Sequence, residues 1–160
     1  EEDDFIDEDL TMKEYIKEII LSFRETSDKN FLFNFDQDSN SKKITKSIEI
    51  IYGLRNFIGN ANKFCSKTVY VTLKSNNDST EIIIEDDGSG YPKNILSKIG
   101  EPYLKSLEYS QSPTTGLGLG IFIGKTLLEK NFATLVCKNS ETRQGAEVSI
   151  KWKNNDLFNI

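Results

Sequence analysis

The residues best equipped for chemistry fall into three short groups along the chain: amides, then carboxylates, then glycines. The first holds Asn56, Asn60 and Lys63. Spaced four and three apart, they share one stripe of a helix, displaced by roughly 110° from its apolar face. The amide oxygen of Asn60 is a ligand of the kind a hard cation accepts, and Lys63, nearly one turn later, can set a positive charge near phosphates. Mg2+ keeps several waters and leans on substrate phosphates, so one Asn suffices as its protein ligand. The plain alternative is a row of helix-surface side chains solvated by water.

The second group, Asp86-Asp87-Gly88-Ser89-Gly90, ends an apolar strand with a carboxylate and follows it with glycines. Gly88 and Gly90 permit positive φ and a close backbone approach to a flat ligand. A carboxylate accepts hydrogen bonds and donates none, so Asp86 suits the exocyclic amino group of adenine and repels the carbonyl that guanine presents there. An ordinary Asp-Gly turn is the competing reading. In the third group, Thr115-Gly116-Leu117-Gly118-Leu119-Gly120 runs into a helical pattern. Bare backbone N–H groups and a helix N-terminus there would face phosphates, although glycine-rich stretches also serve as plain connectors. The spacing is neither GxGxxG nor GxxxxGK[ST], so the usual Rossmann and P-loop signals are missing.

Positioning these groups falls to elements that the periodicity outlines. Leu10, Ile16, Ile19, Ile20 and Phe23 predict an amphipathic helix from Leu10 to Phe23, capped by Asp9 or Thr11. Phe31 to Phe35 reads as a strand, Asp36 to Lys43 as a polar loop, and Ile44 to Phe64 as a long helix whose face carries Ile50, Leu54, Phe57, Ala61 and Phe64. Val69, Val71 and Leu73 alternate with polar residues, Asn76 to Asp78 turn the chain, and Glu81 to Glu85 returns it as a hairpin. Lys93 to Ile99 forms a short helix. Periodicity is poor from Gly100 to Gly120, which predicts a long mobile loop that works as a lid. A helix over Ile121 to Lys130 follows, then a second hairpin from Ala133 to Lys138 and Ala146 to Trp152, turned near Gly145. The expected class is α+β: a two-layer sandwich with a mainly antiparallel mixed sheet and helices on one face.

Composition narrows the chemistry. A chain of 160 residues with 37% hydrophobic content suits one compact domain with a short appended segment. Its 25 acidic residues outnumber 20 basic ones, which disfavours nucleic acid as a partner. No apolar run approaches the roughly 20 residues needed to cross a bilayer, so direct membrane contact is not expected. Cys65 and Cys137 lack any metal or disulfide spacing and read as reduced, space-filling thiols. There is no histidine, which excludes a Ser/His/Asp triad, a histidine-bearing zinc site and imidazole acid-base catalysis.

Taken in order, Asn60-Ala61-Asn62-Lys63, Asp86-Asp87-Gly88-Ser89-Gly90 and Thr115-Gly116-Leu117-Gly118-Leu119-Gly120 resemble the N, G1 and G2 boxes of histidine kinase catalytic domains in the gyrase, Hsp90, histidine kinase and MutL superfamily. The resemblance covers roughly residues 30 to 152. Gly100-Glu101-Pro102-Tyr103 and the stretch from Gly118 to Glu129 are similar to the RegB/PrrB-type redox sensor kinases of proteobacteria. It implies the Bergerat ATP-binding fold, with ATP and Mg2+ bound, Asn60 on the metal, Lys63 near the phosphates, Asp86 on adenine, and the glycines closing over the triphosphate. Asn56 falls where superfamily members that hydrolyse ATP usually carry a glutamate base, and an amide cannot take that proton. Gly100 stands where many kinases have Phe, and Lys105 where some have an arginine directed at the γ-phosphate.

The resemblance further implies a division at residues 1–28, an acidic leader and linking helix from a phosphoacceptor region, and 29–160, the catalytic domain. The expected partners are the phosphoacceptor dimerisation helices of the same kinase and, through the full protein, a response regulator. The expected location is the cytoplasmic side of an inner-membrane sensor kinase. A gyrase-like or Hsp90-like ATPase, a serine-kinase anti-sigma factor and a non-catalytic nucleotide-sensing module are the competing readings.

Overall fold

The computed structural model describes residues 10–36, 42–44, 47–99 and 116–158. The chain begins with a short strand β1 (Leu10–Thr11) and a helix α1 (Met12–Arg24). Thr11 caps α1 through a capping box: its side chain accepts from the Glu14 N–H while Glu14 reaches back. Met12, Tyr15, Ile16, Ile19 and Ile20 are buried along one face of α1, in the same core as the sheet. Strands β2 (Asn30–Phe35) and β3 (Lys43–Ile44) follow, then the long helix α2 (Ile48–Phe64).

Helix α2 starts four residues later than the apolar spacing predicts. Lys43 and Ile44 pair instead with Thr11 and Leu10, and Ser47 caps the helix by accepting from the Ile50 N–H. The physical reason is burial: Ile44 is 2% exposed in its short strand, while Ile48, which the same periodicity counts as core, is 65% exposed.

After α2 come β4 (Thr68–Ser75), β5 (Ser79–Asp86), α3 (Lys93–Ile99), α4 (Gly116–Lys130), β6 (Thr134–Asn139), β7 (Ala146–Lys153) and α5 (Asn154–Phe158). Five strands form one mixed sheet in the order β2-β4-β5-β7-β6; only β2 and β4 are parallel, and α2 lies in the crossover between them. Helices cover one face; the other carries mostly polar side chains, with Leu32 and Val136 exposed among them.

The register sorts the covered face into rows. Phe35, Leu73, Ile82, Ile150 and Leu135 make one, and Phe33, Val71, Ile84, Val148 and Cys137 the next. The following row starts as apolar, with Phe31 and Val69, and then places Asp86 opposite Val69; on the far side Ala146 pairs with Asn139. Because side chains alternate strictly along a strand, Asp86 must share the face of Ile82 and Ile84. That row is where the core gives way to chemistry.

Helices α2 and α4 run antiparallel along a seam of glycines. Gly53 lies against Leu128, Gly124 against Phe57 and Asn56, and Gly120 against the Asn60 amide. A second departure from expectation lies at the start of this helix: α4 begins at Gly116, so Gly116, Gly118 and Gly120 are helical rather than part of a loop. A glycine costs a helix about 1 kcal/mol relative to alanine. Close packing offsets that cost, with Ile121, Phe122 and Leu128 on the same helix all buried. Residues 100–115, the rest of the expected loop, lie outside the described residues.

A Cβ at Gly53 would stand 2.6 Å from Leu128 Cγ, which is fully buried and cannot withdraw. Gly53→Val is therefore expected to destabilise the domain by about 1–3 kcal/mol in urea titrations. Paired with Leu128→Ala it should cost less than the sum of the two single changes, because the truncation opens the space that the valine needs.

Candidate functional site

Strand β5 delivers its two terminal carboxylates to opposite tasks. Asp86 is 4% exposed, and its Oδ1 accepts from the backbone N–H groups of Gly88 at 2.8 Å and Ala146 at 3.3 Å. Among the described residues no hydrogen bond engages its second oxygen, which is left for a donor from outside. Burial pushes the Asp86 carboxyl above the ordinary carboxylate range; the two N–H bonds oppose that shift and the neighbouring Asp87 charge adds to it.

Asp87 points the other way and gathers three consecutive backbone N–H groups where α2 passes into β4: Ser66 at 2.9 Å, Lys67 at 3.0 Å and Thr68 at 3.2 Å. Slight desolvation would raise its carboxyl, but the three donors prevail and hold it below the ordinary value. Asp87 thereby ties the end of α2 to the turn that follows Asp86. Gly88 sits so close beneath this tie that a Cβ would strike the Phe64 carbonyl, and a Cβ at Gly145 would strike Asp86.

Beyond the carboxylates, Gly90 turns the chain at φ +82°, a conformation that favours glycine. Tyr91 follows, buried, with burial driving its phenol far above the usual range. Cys137 lies beside the Tyr91 side chain, with its thiol pushed up to about 12, chiefly by burial. Cys65 is likewise raised by burial, so neither cysteine is poised as a thiolate at neutral pH.

These residues wall a cavity of about 420 Å³ between the end of α2 and the sheet, lined by Phe57, Ala61, Phe64, Ile84, Val148 and the Gly90-Tyr91-Pro92 segment, with Asp86, Asn60, Lys63 and Ser89 as its polar side chains. Its volume suits a small ligand, and so does its lining of apolar surface with few polar points. The amide nitrogen of Asn60 is buried with no hydrogen-bond partner among the described residues. An orphaned amide in a native interior needs an account, and a 180° flip presents its oxygen to the same place. That oxygen is the kind of ligand a hard cation would accept. Among the described residues no cluster of three His, Cys, Asp or Glu side chains competes as a metal site. Lys63 is exposed at the cavity's edge, 5.3 Å from the centre of the Phe64 ring, with no carboxylate partner among the described residues.

The structure brings Asn60, Lys63, Asp86 and Gly90 together around the cavity, with Gly88 in the turn beneath it. Gly120 borders Asn60, and Gly116, Leu117, Gly118 and Leu119 form the opening turns of α4 just before it. Asn56 is set apart. Its Nδ2 donates to the Tyr52 carbonyl of its own helix at 2.9 Å, and it packs at Gly124. Thr115, Gly100 and Lys105 lie outside the described residues. Sequence reasoning missed Ala146, whose N–H meets Asp86, and Asn139, whose amide meets Tyr91; it saw Gly145 only as a turn. A glycine directly before a strand paired beside Asp86 was the one available clue.

The family described as histidine kinase-, DNA gyrase B- and HSP90-like ATPase matches residues 45–156. Sensor histidine kinase RegB of Cereibacter sphaeroides is 36% identical over 130 residues, covering 72% of this chain and 28% of RegB. Sensor protein RstB of Escherichia coli is 31% identical over 99 residues, covering 62% of this chain and 23% of RstB. The chain thus spans about a quarter of the length of these relatives. Among solved structures, the catalytic domain of histidine kinase ThkA superposes with a TM-score of 0.71 at 18% identity, covering 91% of this chain and 94% of that one. The mycobacterial sensor histidine kinase MprB gives 0.68 at 21% identity, with 91% and 97% covered.

The opposite shifts of the two carboxylates carry a pH signature. A carboxyl whose value is lowered by folding contributes stability above its unfolded value of about 3.9, and that contribution disappears as pH falls through the folded value. Asp87→Ala should therefore lower stability at pH 7 by the order of 1 kcal/mol, the usual worth of a capping carboxylate. Its deficit relative to the unsubstituted chain should shrink as denaturation is repeated from pH 5 down towards pH 3; a constant deficit would count against the tie.

Proposed function

The chain belongs to the histidine kinase-, DNA gyrase B- and HSP90-like ATPase family, and from that premise we propose that it is the ATP-binding catalytic part of a sensor histidine kinase. The γ-phosphate of Mg-ATP would pass to a histidine on a separate dimerisation domain. The observation that carries this reading is the pairing, across one cavity, of a buried carboxylate with one oxygen unengaged and an amide whose buried nitrogen has no partner among the described residues.

In this reading the free oxygen of Asp86 accepts the adenine amino group, while Phe57, Phe64 and Tyr91 supply apolar walls for the base. Gly88 and Gly90 keep the turn low enough for the ring to approach. Asn60 would hold Mg2+, which when bound neutralises charge on the phosphates and aligns them. Lys63 places its ammonium beside the same phosphates. The backbone N–H groups at the start of α4, from Gly116 through Leu117, Gly118 and Leu119 to Gly120, face the triphosphate with the positive end of the helix dipole. Thr115 and Lys105 would complete the phosphate contacts, Lys105 at the γ-phosphate.

The chain's own chemistry is then positioning and electrostatic stabilisation, which supply most of the catalysis in phosphoryl transfer. The acceptor comes from elsewhere, since this sequence contains no histidine. Asn56, an amide bonded to its own helix, offers no general base for activating water, which favours transfer to a protein nucleophile over hydrolysis. Residues 1–28 would lead from the phosphoacceptor helices, with α1 docked on the catalytic core, and a response regulator would receive the phosphate in turn. The domain would work at the cytoplasmic face of a membrane-bound sensor; no described helix is long and apolar enough to cross a membrane.

Calorimetric titration with a non-hydrolysable ATP analogue tests the site. Saturable binding strengthened by Mg2+ is expected, with a GTP analogue failing to compete. A hydrogen bond to a charged group contributes about 1.5–3 kcal/mol, so Asp86→Asn should weaken binding by roughly 10- to 150-fold. Only ionised Asp86 accepts the amino group, and its carboxyl is raised. Affinity should therefore decline in mild acid, at pH values above the ordinary 3.8, and the Asp86→Asn variant should lack that decline. Phosphate should move from ATP to a histidine of a supplied phosphoacceptor-helix domain, and ATP hydrolysis by this chain with no transfer to such a domain would refute the assignment.

A further inference from the structure

The turn from Asp86 to Tyr91 leaves the sheet, and ladder hydrogen bonds do not explain why its far end stays in place. Its near end is held by the Gly88 N–H bond to Asp86 and by Asp87. The far end is gripped from β6, the edge strand of the sheet. Asn139 Oδ1 accepts from the Tyr91 N–H at 2.6 Å, and Asn139 Nδ2 donates to the Tyr91 carbonyl at 3.2 Å. One side-chain amide thus satisfies both main-chain groups of a single residue, as a neighbouring strand would.

Two residues earlier on the same strand and the same face, Cys137 lies beside the buried Tyr91 side chain. Tyr91 is consequently held at its main chain by the amide and at its ring by burial. The fit is tight: a Cβ on Gly90 would lie 2.7 Å from Asn139 Oδ1, so the positive-φ glycine and the amide need one another.

We propose that Asn139 is a positioning residue for adenine, acting through the Gly90-Tyr91-Pro92 wall of the cavity. This rests on the ATP-site reading above. Asn139 does not line the cavity; it sets where the wall stands relative to Asp86. Loosening that wall costs the base its apolar contact and its alignment to the carboxylate. The Asn60 and Lys63 end of the site is held by α2 and is untouched. Asn139 therefore governs the share of affinity that depends on adenine and leaves the share that depends on phosphate.

The two shares separate experimentally. Affinities for a non-hydrolysable ATP analogue and for inorganic tripolyphosphate, both with Mg2+, are measured by calorimetry on the unsubstituted chain, Asn139→Ala and Asn139→Asp. The Asp variant is isosteric, keeps an acceptor for the Tyr91 N–H and replaces the donor to the carbonyl by a repulsion, so it reports even if the Ala variant folds poorly. Both variants are expected to bind the ATP analogue about tenfold more weakly and tripolyphosphate within about twofold of the unsubstituted chain. Unchanged affinity for the ATP analogue, equal losses for both ligands, or failure of both variants to fold would each overturn the positioning role while the ATP site stands. No binding of the ATP analogue by the unsubstituted chain would overturn the underlying reading as well.

Discussion

An ionisable side chain on the covered face of a β-sheet is the constraint from which the rest of this molecule follows. Strand alternation puts Asp86 where Ile82 and Ile84 would place another apolar residue. Burying a carboxylate without partners costs several kcal/mol, enough to consume much of a small domain's net stability. Two backbone N–H groups, from the turn and from the neighbouring strand, offset part of that cost and leave one oxygen unused. The molecule thus stores an unmet demand for a donor, and the cavity in front of it is where that demand can be met.

Next to it, an identical side chain is put to structural use. Asp87 collects three N–H groups of the passage from α2 to β4, so the helix carrying Asn60 and Lys63 is joined directly to the turn carrying Gly88 and Gly90. Asn139 does the corresponding work from the opposite side of the sheet. Two adjacent carboxylates therefore diverge in character through geometry alone: burial raises one, and a fan of donors lowers the other.

Much of this was legible before any coordinates. The hairpin β4–β5, the amphipathic face of α2 and the sandwich class follow from periods of 2 and 3.6, because burial on one face leaves that imprint directly. The trio Asn60, Lys63 and Asp86 was legible because each is a polar residue whose place in an apolar pattern demands a reason. The N-terminus of α2 misled because Ile44 and Ile48 fall four apart while only Ile44 is buried. The start of α4 misled because glycine reads as punctuation, and its value here lies in a partner helix that no local window contains. Asn139 and Gly145 were illegible for the same reason: their meaning depends on a strand pairing that brings residues some 50 to 60 positions apart into contact.

The glycine seam has a mechanical consequence. Leu128 is wedged against Gly53 at one end of α4, whereas at the other end Gly120 meets only the tip of the Asn60 amide. Between these ends Gly124 lies against Phe57 and Asn56, and Ile121 and Phe122 are buried. The distance between the two helices is thus set by single missing side chains: a Cβ added at Gly53 or Gly124 would prise α4 from α2 at that point and carry its opening turn away from Asn60.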